Sequence, residues 1–512
     1  MGNIDHMQQL RSLFMKPQPM FSPTSLRYIA ALRGNKPKRT GTDFTYAEMA
    51  CQAPEKLICL AASNPEGRFY GFVADDATRR TSEEKAAQHG TFNVVFLTGS
   101  PSEALAKIAN GSSLPPMLDY LCCDESAKPL SKVERTALFD LAEKRLNPGG
   151  LFTTSYHASN TADGALRFLI RELAPEMNED QKQEFLTEIK HLGALNLAKN
   201  TALSAKLNDA IAKKKPQDFF APFDGTPATS TTFDTMVAMG SRGMSYAGDA
   251  TLASNYVELA VPAEAQDIVV KCRNNILYEP IKDFALDRTI RSDIWVKGPV
   301  TKSSSSAELF GGFAYGVTRQ RDQVPTSFAA QGKTISLASP LYVKLIDLMS
   351  TMPMGVGDFL AHPSGQDEQP DEIIGALQVL VACGIASPMR GLLNQTSTNG
   401  IAQPRLVGGF NRFLDKTDLN GDDVWFASQV MGCGIALPAR EAFVMQALNR
   451  AGLSNSVSAL LPELRRIANT TAALAILQND DAPTPESAQK LVREVVGQSL
   501  PQWYAYALLE AA

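Results

Sequence analysis

Between residues 44 and 173, short apolar runs alternate with stretches whose apolar positions recur at helical spacing. The runs FTYAEMA, RFYGFVA, FNVVFLTG, MLDYLCCD and LFTTSYH predict strands, and the intervening PEKLICLAAS, TSEEKAAQHG, PSEALAKIANG and SKVERTALFDLAEKRL predict helices. Strands joined through helices need right-handed crossovers, so the pattern predicts an α/β unit built on a doubly wound parallel sheet. Ligands of such sheets sit beyond the carboxyl ends of the strands, which directs attention to the turn after Met49.

The flanks read differently. Met7 to Met15 predicts a short helix, KPQPMFSP a strap punctuated by proline, and TSLRYIAALRG a helix stopped by Gly34. Residues 164 to 217 are helix-rich and charged, and TTFDTMVAMGSRGMSYAGDATL reads as helix, glycine turn and strand. Ser303 to Ser306 reads as a flexible loop. Residues 336 to 390 predict three short helices and a strand-like segment, a winged-helix-like shape, but the third helix, IIGALQVLVACG, carries no Arg or Lys and does not suit DNA. From about 405 to 512 the pattern reads as helical. The boundaries expected are a strap over 1–24, a doubly wound domain over 25–190, a helical connector over 191–217, a mixed α/β domain over 218–300, and a helical C-terminal region over 301–512.

Composition narrows the function. The 512 residues exceed what one core organises. The 49 basic and 54 acidic residues give 49 − 54 = −5, with no basic excess for nucleic acid or anionic lipid. The seven cysteines are odd in number and scattered, as reduced core thiols are, and neither they nor the five histidines have zinc-ligand spacing, so no metal is assigned. The N-terminus lacks signal-peptide character and no long apolar run occurs, which leads to an expectation of cytoplasmic residence without membrane insertion.

A nucleotide-binding α/β domain needs glycine in its first turn for close ligand approach, and a carboxylate after its second strand for the ribose. Glu48 followed by Met49-Ala50-Cys51-Gln52-Ala53-Pro54, then LAASNPEGRFYGF, LDYLCC and RLNPGGLFTTSYH, resembles a class I S-adenosylmethionine-dependent methyltransferase. The segment Leu146 to Leu151, LNPGGL, is the most specific match. Residues 218 to 298, with GMSYAGDATL and YEPIKDFALDRTIRSDIWVKG, resemble the methyltransferase regulatory domain of bacterial protein-lysine methyltransferases. Asp283, Phe284, Arg288, Arg291 and Asp293 stand in that domain's pattern, expected on one helix, and a buried ion-pair network is the preferred reading of them over catalysis. FNRFLD and VWFASQVMGCGIALPAREAFVMQAL are similar to the C-terminal region of that group. The resemblance implies a Rossmann-like fold, S-adenosylmethionine as cofactor and a protein substrate.

Departures from the pattern fall in one pocket. Ala50, Gln52 and Pro54 stand at the three glycine positions around Cys51, and a β-carbon at positive φ costs roughly 1–2 kcal/mol. Gln52 puts a side chain where methionine or ribose would lie. Val73 occupies the acidic position after the second strand, with Asp75 and Asp76 two and three residues on as substitutes or as loop residues. Cys122 and Cys123 read as buried strand residues rather than a nucleophile, and His157, after Ser155 and Tyr156, is a candidate group near substrate. The resulting expectation is a methyltransferase-family pseudoenzyme of protein-lysine type. Its cofactor site is impaired and it serves as a regulatory or partner subunit, a related methyltransferase being one candidate partner. The alternative is an active methyltransferase with an altered pocket, and catalytic residues stay unassigned.

Overall fold

The structure is a computed structural model. It describes residues 16–17, 21–36, 43–109, 117–126, 129–158, 177–192, 201–220, 232–273, 278–286, 288, 290–298, 302–330, 333–390, 404–412, 424–450, 495, 499 and 502–511. The expected Met7 to Met15 helix lies outside these residues.

Seven strands make the central sheet: β1 Phe44–Met49, β2 Gly67–Val73, β3 Val94–Thr98, β4 Leu118–Asp124, β5 Leu146–His157, β6 Met244–Asp249 and β7 Ile290–Lys297. Their spatial order is β3-β2-β1-β4-β5-β7-β6. Neighbours among β1 to β5 pair in parallel, whereas β7 is antiparallel to both β5 and β6. A helix, α1 (Pro23–Leu32), precedes the sheet, and α2 (Pro54–Ala62), α3 (Asp76–Gln88), α4 (Pro101–Ala109) and α5 (Lys132–Arg145) provide the crossovers. Local chemistry starts these helices: Pro23 and Pro54 occupy first-turn positions, and Ser22, Asp75 and Ser131 accept hydrogen bonds from the N–H groups of Ser25, Thr78 and Glu134. Alternation sorts the strand side chains into two cores, Tyr46 and Cys122 on one face, Ala47, Met49, Leu121 and Cys123 on the other.

Three expectations change. Among the described residues of 218–300 the strands form no sheet of their own, because β6 and β7 pair with each other and β7 pairs with β5 along seven residues, extending the sheet begun at Phe44. An antiparallel pair can be added to a parallel sheet through its open edge, and burial of Trp295 and Val296 favours that over exposure. Asp283 and Arg291 do not share a helix: Tyr278–Leu286 is helical and Ile290–Lys297 is strand β7. The region after 405 is not wholly helical, since Val424–Ser428 and Cys433–Leu437 pair antiparallel through a turn with Gly432 at φ +67°. Five-residue apolar runs fit strand or helix alike, and pairing decides between them.

The C-terminal half packs onto this sheet. Lys16–Pro17, in the expected strap, pairs antiparallel with the Cys433–Leu437 strand. Helices Pro340–Thr351, Val356–Ala361 and Pro370–Ala382 accompany a small sheet of Met354–Gly355, Ala314–Val317 and Ala386–Met389. The serine run is fixed: Ser303 N–H donates to Gly34 O and Ser305 caps the helix Ser306–Phe310. Among the described residues no helix is long and apolar enough to cross a membrane.

Candidate functional site

The chain leaves β1 toward β2 and β3 on one side and reaches β4 and β5 on the other, so the topological switch point lies between β1 and β4. A ligand crevice belongs at the carboxyl ends of these two strands. Glu48 and Met49 sit opposite Cys122 and Cys123 in register, and Asp124 ends β4.

Ala50 adopts φ +52°, the left-handed conformation that glycine would accept without strain, so the turn after β1 is left-handed although an alanine makes it. Cys51 N–H donates to Phe72 O at 2.7 Å and ties the turn to β2. Gln52 Nε2 donates to Asp124 O at 3.2 Å, so an exposed amide spans the switch point from the β1 turn to the end of β4. Ala53 offers no side-chain cap and Pro54 no N–H, which leaves α2 with a bare first turn bearing the acidic Glu55.

Glu48 is partly buried beneath this turn. Burial pushes its carboxyl up to about 7; the Cys51 thiol hydrogen bond and Lys56 pull the other way, and the neighbouring Asp124 carboxylate adds to the rise. The Cys51 thiol is itself pushed up by burial and by Glu48. Val73, at the end of β2, is 1% exposed and faces apolar neighbours, with no carboxylate at that position. Asp75 is committed elsewhere: its Oδ1 accepts from Thr78 N–H at 2.7 Å as the cap of α3, and that bond holds its carboxyl below the usual range. Asp76 pairs with Arg79 at 2.9 Å.

Two carboxylates that the sequence reading did not single out complete the rim. Asp124 lies beside Glu48, and Glu125 is fully buried, held by Arg135 at 2.7 Å and by Leu130 N–H at 3.2 Å. The pair CCDE at the end of an apolar strand was the available signal. His157 Nε2 donates to Ser126 O at 3.1 Å, placing the imidazole by the loop after β4. Cys122 and Cys123 are fully buried, in different cores, with thiols pushed up by burial, so neither is an activated nucleophile.

Beside the crevice, β5, β6 and β7 enclose a charged hub. Arg291 is fully buried and pairs with Asp283, with Asp293 at 2.7 Å and with Glu279 at 3.1 Å. Thr232 Oγ1 donates to Asp283 at 2.6 Å, Tyr156 OH to Asp293 at 2.5 Å, and Arg291 Nη2 to Tyr246 OH at 2.9 Å. Lys282 lies 2.6 Å from Glu279 and Arg33 of α1 lies 2.8 Å from it, while Arg288 pairs with Asp249 and Ser254. Asp283, Arg291 and Asp293 thus share one network with Arg33 at the end of an N-terminal helix and with Tyr156 and Tyr246 of two further strands, although they lie on different elements.

Residues 226–297 match the family model described as "Predicted methyltransferase regulatory domain". The solved structure of PKMT2 from Rickettsia typhi in complex with AdoHcy is similar, with a TM-score of 0.64, 16% identity, and coverage of 95% of this chain and 98% of that one. A second structure of PKMT2 from the same organism matches with a TM-score of 0.62, 15% identity, and coverage of 96% and 100%. An uncharacterized protein of Synechocystis sp. is 19% identical over 444 residues, 84% of this chain and 85% of that protein. Strand order, antiparallel β7 and matched segment agree: this chain has the class I methyltransferase fold, with a methyltransferase regulatory domain built into it.

Proposed function

We propose that this chain is a methyltransferase-fold protein of the protein-lysine type whose S-adenosylmethionine site is impaired, and that it acts through its surfaces as a regulatory or partner subunit. The observation that carries this reading is the Gln52 amide on the Asp124 carbonyl, closing the switch-point crevice with the chain's own groups. Val73 supports it, because two ribose hydroxyls lose a charge-assisted acceptor, each such bond being worth roughly 1.5–3 kcal/mol. Asp75 cannot replace that acceptor without uncapping α3. These residues do not fit the cofactor, and no step of methyl transfer is derived through it. The partner is a protein, with a related methyltransferase as the first candidate, and the seven free thiols suit a reducing compartment such as the cytoplasm.

One observation favours an active enzyme with an altered pocket: Ala50 keeps the left-handed turn above Glu48, and Gln52 is exposed, free to swing outward. Calorimetry with S-adenosylmethionine and S-adenosylhomocysteine separates the two readings. No heat at millimolar ligand is expected; micromolar binding overturns the impaired-site reading.

A further inference from the structure

The two ends of α2 are held unequally. At its first turn Ala53 offers no cap and Pro54 no N–H. That end is tied by the Gln52 bridge to Asp124, by Cys51 N–H on Phe72 O, and by a Lys85–Glu55 ion pair. The bridge and the ion pair are exposed, and exposed bonds contribute little.

The far end is clamped. Asn64 is buried and donates from Nδ2 to Leu60 O at 2.8 Å and to Gly432 O at 3.0 Å. Asn93 Nδ2 donates to the carbonyls of Ala61, Asn64 and Gly67 at 3.0, 3.0 and 2.9 Å, which makes this end a pivot. Arg390, the residue after the strand Ala386–Met389, sets its guanidinium on the same end. Its Nη1 donates to Ser63 O at 3.1 Å and to Gln429 O at 3.3 Å, and its Nη2 lies 2.6 Å from Glu66. Its own N–H donates to Val430 O at 3.0 Å. One residue therefore joins the small sheet of the C-terminal half, the hairpin turn 429–432 and the C-terminus of α2, where the helix dipole also favours a cation.

The hairpin also lies directly on the helix. A Cβ on Gly434 would come 2.8 Å from Cys59 Sγ, so only a bare backbone fits there. A helix of nine residues is a rod about 14 Å long, and rigid elements carry a tilt from one end to the other. The turn bearing Gln52 follows the seating of the far end.

We propose that Arg390 and the hairpin of Val424–Ser428 and Cys433–Leu437 govern the crevice through α2: seated on its C-terminal end they keep the Gln52–Asp124 bridge shut, and lifted from it they let the bridge open. This rests on the reading that the bridge closes the crevice. The bridge is one neutral bond from an exposed amide, so a small tilt suffices to part it. Arg390 is a positioning residue, acting on the crevice from the opposite end of the helix.

Hydrogen exchange of the full-length protein, with glutamine labelling to follow the Gln52 side-chain amide, tests this without cofactor. Arg390→Gln is expected to speed exchange at Cys51, Lys56 and Leu57 by at least about tenfold, with Leu121 of β4 unchanged. The Gln52 amide resonances move to those of a solvated glutamine. Arg390→Lys, which keeps the charge beside Glu66, gives a smaller change. Gly434→Ala wedges the hairpin off α2 by a separate route and is expected to act in the same way as Arg390→Gln. Combined with Cys59→Ala, which removes the sulfur that the new methyl meets, it returns to the closed state. The proposal is overturned by a Gln52 amide that neither Arg390→Gln nor Gly434→Ala moves, by acceleration that extends to Leu121 in both, or by a double variant that stays open. The coupling thus fails on exchange and resonance alone, whereas the impaired-site reading fails on calorimetry.

Discussion

Two glutamates, one at the end of a sheet strand and one on a helix packed beside the sheet, lean in opposite directions. Glu48, in the crevice, is raised to about 7 because burial dominates and its nearest charged neighbour of influence, Asp124, is also acidic. Glu279, in the hub, is the more deeply buried of the two, yet Lys282, Arg291 and Arg33 outweigh the burial and hold it down at about 2. The hub is not uniform, since burial outweighs Arg291 at Asp293 and keeps that carboxyl at about 6. The contrast teaches that the cations around Glu279 outweigh its burial, whereas at Glu48 the pull of Lys56 does not, even though Glu125 nearby has Arg135. A closed network of this kind belongs to the architecture, while a carboxyl raised by burial at a switch point is where a ligand is to be sought.

The largest effect is expected in the hub. Arg291→Met leaves Glu279, Asp283 and Asp293 without their shared guanidinium, and loss of one partner of a buried ionic cluster costs about 3–5 kcal/mol, readable as a lower denaturation midpoint. An unchanged midpoint erases the distinction drawn between the regions. Next comes the crevice: Gln52→Gly with Val73→Asp removes the amide bridge and restores a ribose acceptor. It is expected to raise S-adenosylmethionine affinity by about 10- to 100-fold in calorimetry, the equivalent of one charge-assisted bond. No gain means that neither the Gln52 amide nor the absence of a carboxylate at position 73 limits binding.

The pH dependence sharpens the same comparison. A carboxyl raised on folding binds its proton more tightly in the native state, so stability falls as pH climbs from 4.5 to about 7 through Glu48. Glu48→Gln removes that slope, roughly 1 kcal/mol after solvent screening, and leaves the part below about 6 that Asp293 contributes. Glu279 acts with opposite sign, its contribution being lost only as pH falls from 4.5 toward 2. Urea melts across this range check both signs. The smallest effect belongs to Asp75→Ala, which removes the cap of α3 and is expected to cost about 0.5–1 kcal/mol without altering cofactor affinity. A change in affinity there returns Asp75 to the ribose site.

The alternation of apolar runs with helical stretches from Phe44 to His157 located five strands and the four crossover helices, although the helix Asp76–Gln88 and the strand Leu146–His157 each begin five residues earlier than the pattern indicated. The absence of glycine from Ala50 to Pro54 and of a carboxylate at Val73 was equally legible, because those losses are residue identities at fixed spacing. Less was legible after residue 218. The DRTIRSD stretch carries charges at spacing that suits a helix, and the register with Ser155, Tyr156 and His157 made its second half a strand. Asp124 and Glu125 joined the site only through the neighbouring position of β4, which no local pattern near Glu48 announces.

Sequence by itself determined the α/β periodicity, the glycine-free turn from Ala50 to Pro54 and the uncharged TFNVVFLT segment, since each rests on the identity of residues close together along the chain. Tertiary structure alone decided the merger of the regulatory segment with the sheet, the Gln52 bridge to Asp124, the meeting of Arg33 with Glu279 across 246 residues, and the terminal position of β3. Strand order and long-range charge pairing depend on which elements become neighbours. That choice is made by burial and hydrogen bonding over the whole fold rather than by any local preference.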